Sequence, residues 1–198
     1  KDEEKDIKDF EYEIIEDKGI DSFIGDLKKQ KEIAIALDDL GIAFSWEKGR
    51  AGYIRIRDHK SRIKDVLEDG NIKKIGYDLK TIYKGLKNYG INLAGINFDV
   101  MLAAYVLDPG SKIELDKLIL SELGEEVSFE DREARGQMEI IGKPVEYSSK
   151  FICQKADYAL KLKNILENKI AQIEKNQKSQ EKIKGTIRDI LEKIEIPL

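Results

Sequence analysis

The chain has 198 residues, 41% of them apolar and 37% charged, and its 35 Lys+Arg against 39 Asp+Glu leave a net charge of −4. That suits one α/β domain with an appendage and an unusually ionic surface. A single cysteine, Cys153, and a single histidine, His59, exclude a disulfide framework and a Cys/His zinc cluster. No apolar run approaches the ~20 residues of a membrane span, and the charged N-terminus is unlike a signal peptide, so a reducing, cytoplasmic setting is expected.

Residues 1–9 form a polar lead-in. Phe10 to Ile15 alternates as a strand, and Asp21 or Ser22 is placed to cap a short helix carrying Phe23, Ile24 and Leu27. Ile33, Ile35 and Leu37 alternate with small residues in a strand that reads as buried, and Asp38-Asp39 turns the chain. Ile42, Phe44 and Trp46 begin the next strand, with Trp46 read as core. Glu47-Lys48-Gly49-Arg50 is a hairpin turn. Tyr53 to Arg57 returns, with Ile54 and Ile56 on one face and Tyr53, Arg55 and Arg57 on the other. His59 reads as an exposed turn residue. A helix with Ile63, Val66 and Leu67 closes at Gly70, and Ile72 to Ile75 is a short strand.

Leu79, Ile82, Tyr83 and Leu86 make one helical stripe, ended by Gly90. Ile96 to Phe98 is a strand, Asp99 caps a helix over Val100 to Leu107, and Asp108-Pro109-Gly110 breaks the chain. Leu115 to Leu123 is helical, and residues 124–148 are irregular and acidic. A long helix runs from Ser149 to about Lys175, with Cys153 as a partly buried structural thiol. Asn176 to Lys182 holds no apolar residue and reads as a turn or exposed stretch. Ile183, Ile187, Ile190 and Ile194 then form a helical seam in need of a partner. Hairpin strands followed by strand–helix alternation predict a mixed β-sheet flanked by α-helices.

Charge is uneven. Residues 1–30 carry six Lys against eleven Asp/Glu, whereas residues 48–64 carry seven Lys/Arg against Asp58 alone. Within that basic block Arg50, Arg55, Arg57, Lys60 and Arg62 are the candidates for contact with nucleic acid, set against the simpler reading of a solvated charged face.

Gly76, Leu79 and Lys80, then Tyr89-Gly90-Ile91, Gly95-Ile96, Phe98-Asp99, Met101-Leu102, Tyr105-Val106-Leu107 and Pro109, followed by Leu115-Asp116-Lys117-Leu118, form a connected pattern. The pattern resembles the 3′–5′ exonuclease domain of bacterial DNA polymerase I. The resemblance implies a ribonuclease H-like fold over residues 10–175. It also implies a helical connection over residues 176–198, whose Ile194 to Leu198 is similar to the family's lead into the polymerase thumb.

The chemistry of that family is two-metal phosphodiester hydrolysis. Its hard divalent cations need oxygen ligands, and the resemblance implies three places for them. The first is a strand ending in Asp-x-Glu, which matches residues 32–40; here Leu37 precedes an adjacent Asp38-Asp39 and no Asp-x-Glu occurs. The second is an Asp three positions past Leu79, where Ile82 stands. The third is a Tyr-x-x-x-Asp helix motif, where Phe151 and Lys155 stand, with Asp157 at a non-ligand position.

Leu37, Ile82, Phe151 and Lys155 therefore imply a degenerate centre, with no catalytic residue, metal or cofactor in this fragment. The fragment is expected to act as a scaffold beside the polymerase domain of a longer parent that would itself use Mg²⁺. Contact with DNA is expected to be weak and non-specific, and no membrane contact is expected. Two other readings stand: an active exonuclease using displaced carboxylates (Asp38, Asp39, Asp78 and Asp157, although Asp78 is better placed as a helix cap), or a non-catalytic nucleic-acid-binding module.

Overall fold

The computed structural model describes residues 10–110, 113–127, 129 and 145–178. The elements in chain order are β1 (Glu11–Ile14), α1 (Ile20–Lys28), β2 (Glu32–Leu37), β3 (Gly41–Glu47), β4 (Arg50–Arg55), α2 (Ile56–Leu67), β5 (Lys73–Gly76), α3 (Leu79–Asn88), β6 (Ile96–Asp99), α4 (Val100–Leu107), α5 (Leu115–Leu123) and α6 (Val145–Lys178). The six strands form one sheet in the order β1-β4-β3-β2-β5-β6. The β2–β3 and β3–β4 pairs are antiparallel, and β1–β4, β2–β5 and β5–β6 are parallel. The expected mixed sheet flanked by helices is therefore what forms. Among the described residues no helix is long and apolar enough to cross a membrane.

The period-two alternation of β2 divides the core. Ile33 and Ile35 join Phe23, Leu27, Ile63, Val66, Ile82 and Leu86 beneath α1, α2 and α3. Ala34 and Ala36 face the opposite side, where α4, α5 and α6 pack. On that side Ala36, Ala43 and Ala51 meet Ala156 of α6. Small residues on both partners let a long helix lie close against the sheet.

Several expectations are corrected. The second hairpin strand stops at Arg55, and Ile56 and Arg57 open α2 instead of continuing β4. Tyr53 is fully buried, because both faces of the sheet are covered and its partner is α6, not solvent. His59 is 7% exposed rather than a surface turn residue. It sits at a non-helical break in α2 (φ −129°, ψ 26°), which turns its ring inward. α1 starts at Ile20, with Gly19 as its cap in place of Asp21 or Ser22. α6 starts at Val145 and persists through Lys178, past the expected end near Lys175. The lead-in over residues 1–9 and the Ile183 to Ile194 seam lie outside the described residues.

Other local readings stand. Asp99 caps α4 through the N–H groups of Met101 and Leu102, at 3.0 and 3.2 Å. Gly124, in the left-handed region at φ 68°, ends α5, and Cys153 is buried.

Candidate functional site at the end of β2

β2, α3 and α6 bring the three sequence-matched positions to the C-terminal end of β2. Leu37, half-buried, points toward α3: a Cβ on Gly85 would stand 2.4 Å from Leu37 Cδ2, so the glycine is what admits the leucine. Ile82, 5% exposed, lies beside it in the stripe of Leu79, Tyr83 and Leu86. Together Leu37 and Ile82 line a cleft of about 380 Å³ whose rim carries Asp38, Asp39, Arg57 and Asn88.

From the other face of the sheet α6 supplies Phe151 and Lys155, both half-buried and one turn apart. The Lys155 ammonium stands 5.7 Å from the centroid of the Phe129 ring. Phe129 packs edge-on against Tyr158 at 6.4 Å, and the Tyr158 hydroxyl donates to Glu125 at 2.7 Å. Burial lowers the pKa of Lys155, and the nearby charge of Asp38 partly opposes that shift. An ammonium under an aromatic ring thus occupies the α6 corner of the centre.

Of the carboxylates nearby, Asp38 (through Oδ1), Asp78 and Asp157 hold local structure together, whereas Asp39 takes part through its backbone alone. Asp38 Oδ1 accepts from the backbone N–H groups of Leu40 (2.9 Å) and Gly41 (2.7 Å) and from the Tyr53 hydroxyl (2.9 Å). These bonds build the tight β2–β3 turn. Asp39 is exposed, and its backbone carbonyl accepts from the Tyr89 hydroxyl at 2.7 Å. Asp78, at φ 58°, caps α3 by accepting from the Thr81 N–H at 3.1 Å. Asp157 is fully buried and binds Gly49 N–H at 2.8 Å and the Tyr12 hydroxyl at 3.0 Å. Among the described residues no three His, Cys, Asp or Glu side chains stand as a group able to hold a metal ion. Divalent cations need oxygen ligands, which Leu37, Ile82 and Lys155 do not supply; the carboxylates on this cleft are those of Asp38 and Asp39.

Two contributors escaped sequence reasoning. Asp99 does more than cap its own helix: its carboxylate also accepts from the N–H groups of Asp78 (3.2 Å) and Leu79 (2.7 Å), pinning the start of α3. Burial raises its pKa, and those amides oppose the rise. Lys161, 8% exposed, is the buried ion partner of Asp157 at 2.8 Å. Its i, i+4 spacing from Asp157 was the available signal.

The basic candidates divide. Arg50 is paired with Glu11 (2.9 Å) and Glu47 (3.1 Å), Arg62 with Asp21 (2.7 Å), and Arg55 more loosely with Asp58 (4.0 Å). Among the described residues no carboxylate stands within ion-pair distance of Arg57, which lines the cleft, or of Lys60, whose ammonium lies beside Gly90. Of the five candidates, Arg57 and Lys60 are thus the two without an ion pair among the described residues.

A mixed six-stranded sheet with α3 and α6 converging on the end of its central strand β2 is the architecture of ribonuclease H-like exonucleases. Residues 37–162 match the family of the DNA polymerase I ribonuclease H-like domain, and the chain belongs to that family. It is 31% identical over 172 residues to DNA polymerase I of Borreliella burgdorferi, covering 76% of this chain and 19% of that protein. It is 27% identical over 193 residues to DNA polymerase I of Pseudomonas aeruginosa, covering 82% and 21%. The chain thus spans about a fifth of the length of these curated relatives. Among solved structures, Trypanosoma brucei RNase D has the same fold with a TM-score of 0.66 at 12% identity, over 79% of this chain and 64% of that one. The POL domain of Pol1 from M. smegmatis, in complex with DNA primer-template and dNTP, matches with a TM-score of 0.65 at 18% identity, over 82% and 28%.

Proposed function

We propose that this chain is a vestigial 3′–5′ exonuclease domain that does not hydrolyse DNA and serves as a structural support for the polymerase domain of its parent. The observation that carries this reading is the composition of the centre itself. The three positions matched to the family's ligand sites hold Leu37, Ile82 and Lys155, and the neighbouring Asp38 spends one carboxylate oxygen on its own turn. Two-metal hydrolysis needs oxygen ligands to hold the ions that activate water and stabilise the leaving oxygen. Without them, both contributions are lost together. Template-directed synthesis, its Mg²⁺ and a cytoplasmic setting belong on this reading to the parent chain, and DNA contact by this domain is limited to weak electrostatics around Arg57 and Lys60.

The experiment is a 3′-end-labelled single-stranded DNA substrate incubated with the purified chain in Mg²⁺ or Mn²⁺, together with calorimetric titration of Mn²⁺. No ladder above background and no stoichiometric heat are expected. A metal-dependent ladder abolished by Asp38→Ala would establish instead that displaced carboxylates still work.

A further inference from the structure

Three lysines share the outer side of α3. Lys80, Lys84 and Lys87 recur at i, i+4 and i+7, around the helix from its buried stripe of Leu79, Ile82, Tyr83 and Leu86, and all three are exposed. α3 holds no acidic residue, and among the described residues no carboxylate stands within ion-pair distance of any of the three. Asp78, at the head of the helix, is hydrogen-bonded to the Thr81 N–H and hydroxyl. Lys87 donates to the neutral side-chain oxygen of Asn92 at 2.6 Å, which leaves its charge uncompensated. The Lys60 ammonium beside Gly90 extends the row past the end of α3, and Arg57 flanks it across the cleft that Thr81 and Asn88 line.

The row works against the helix that carries it. Like charges at i, i+4 and i, i+3 repel, and Lys80 stands in the first turn, where the helix dipole favours an anion. The chain as a whole is acidic, at −4, so this concentration of unpaired positive charge is not the average of its surface. The apolar stripe of α3 lies in the core, so this side of the helix offers neither the apolar face that lodges a helix in a membrane interface nor the aromatic platform on which a single strand stacks. It fits a rigid polyanion. Lys80 to Lys87 spans about 10 Å, a length over which one strand of a DNA duplex presents about three phosphates.

We propose that the lysine row on α3, continued by Lys60 and flanked by Arg57, binds the sugar–phosphate backbone of duplex DNA without reading its sequence. This rests on the reading of the chain as a non-hydrolysing domain of a DNA polymerase, and adds to it the partner and the face. The duplex lies along the outside of α3, so its binding requires neither a metal ion nor an unpaired 3′ end. The lysines neutralise phosphates and release counterions, which gives affinity but no discrimination between bases.

The test is fluorescence anisotropy of a labelled duplex of about 20 base pairs, titrated with the full 198-residue chain in EDTA at several salt concentrations between about 50 and 200 mM. Without divalent cations no hydrolysis intrudes, so failure of the inactive reading, seen as a metal-dependent ladder, stays separate from failure here. The four lysines of the row predict a slope of log K against log salt of about −3.6, the same for duplexes of unrelated sequence. Lys80→Gln/Lys84→Gln is expected to make that slope shallower by about 2 and to weaken binding at low salt. Its urea midpoint should be no lower than wild type, because repulsion is removed at exposed positions. Lys29→Gln/Lys169→Gln removes the same charge at positions already paired with Asp26 and Glu122, and should leave the slope unchanged. An unchanged slope in Lys80→Gln/Lys84→Gln, or an equal loss in the control pair, would overturn the proposal. So would no duplex binding at low salt, a preference for single strand over duplex, or binding to phosphatidylserine vesicles in place of the duplex.

Discussion

The Asp157 carboxylate accepts a 2.8 Å hydrogen bond from the backbone N–H of Gly49, across 108 residues of sequence. Its second oxygen takes the Tyr12 hydroxyl at 3.0 Å and faces the Lys161 ammonium at 2.8 Å. One side chain on α6 thus fastens both the edge strand β1 and the β3–β4 turn. The Lys161 contact is an ion pair rather than an aligned hydrogen bond, and its ammonium is also held over the rings of Phe10 and Tyr158, at 4.7 and 4.5 Å. Burial, reinforced by the Asp157 charge, raises the pKa of Tyr12, so its hydroxyl remains a donor at neutral pH.

Removing one member of a buried ion pair leaves the other uncompensated, at a cost of ~3–5 kcal/mol. Asp157→Ala is expected to lose about that much in urea unfolding, and Asp157→Asn less, because an amide oxygen still accepts from Gly49. Tyr12→Phe removes one hydrogen bond and should cost about 1 kcal/mol. An Asp157→Ala loss under 1 kcal/mol would mean that this network does not hold α6 to the sheet.

Ile82 supplies the second test. Ile82→Asp places a carboxylate among Leu37, Leu79 and Leu86, and should destabilise the domain by roughly 2–4 kcal/mol. The variant is expected to gain no thermal stabilisation from Mn²⁺, since Leu37 and Lys155 still supply no ligand. A Mn²⁺-dependent rise in its melting temperature would show that the remainder of a metal centre is intact.

Lys74 makes stability depend on pH in the alkaline range. Its side chain in β5 is fully buried and donates to the Asp69 carbonyl. Burial pulls its pKa from 10.5 down to about 8, with Asp69 opposing the shift. Below that pH both states carry the proton, and folding bears the cost of a buried ammonium. Between about 8 and 10.5 the folded state releases its proton first and the unfolded chain binds more, so this contribution to stability rises with pH. The slope is at most ~1.4 kcal/mol per pH unit. Lys74→Met should remove it, which wild-type-minus-variant urea midpoints across that window would reveal. Parallel profiles for the two proteins would contradict the assignment.

Any DNA binding should follow the unpaired cations rather than the whole basic block. Arg57→Glu/Lys60→Glu is expected to abolish low-salt binding of single-stranded DNA, whereas Arg50→Glu/Arg62→Glu, at positions already neutralised by Glu11, Glu47 and Asp21, should weaken it far less. Wild-type affinity should be in the non-specific range of ~10⁻⁴ to 10⁻⁶ M or weaker, and should fall steeply with salt through counterion release. Titrations at two ionic strengths check both points. The reverse ranking of the two pairs would relocate the surface to the hairpin.

By itself the sequence determined the alternation of β2, the stripe on α3, the caps at Asp78 and Asp99, and the family pattern across residues 74–118. These depend on spacing and turn chemistry within a few residues, which local geometry enforces. It also set the expectation that Leu37, Ile82 and Lys155 stand where the family has metal ligands, because the matched motifs fix where those positions fall in the chain. Tertiary structure alone decided what surrounds them. Covering both faces of the sheet buried Tyr53, and the break in α2 turned His59 inward. Packing also brought Asp157 to Gly49 and Tyr12, and set Glu11, Glu47 and Asp21 against the arginines. Burial and ion pairing are set by which elements meet across the sheet, and contacts spanning up to 145 residues leave no periodic trace in the chain.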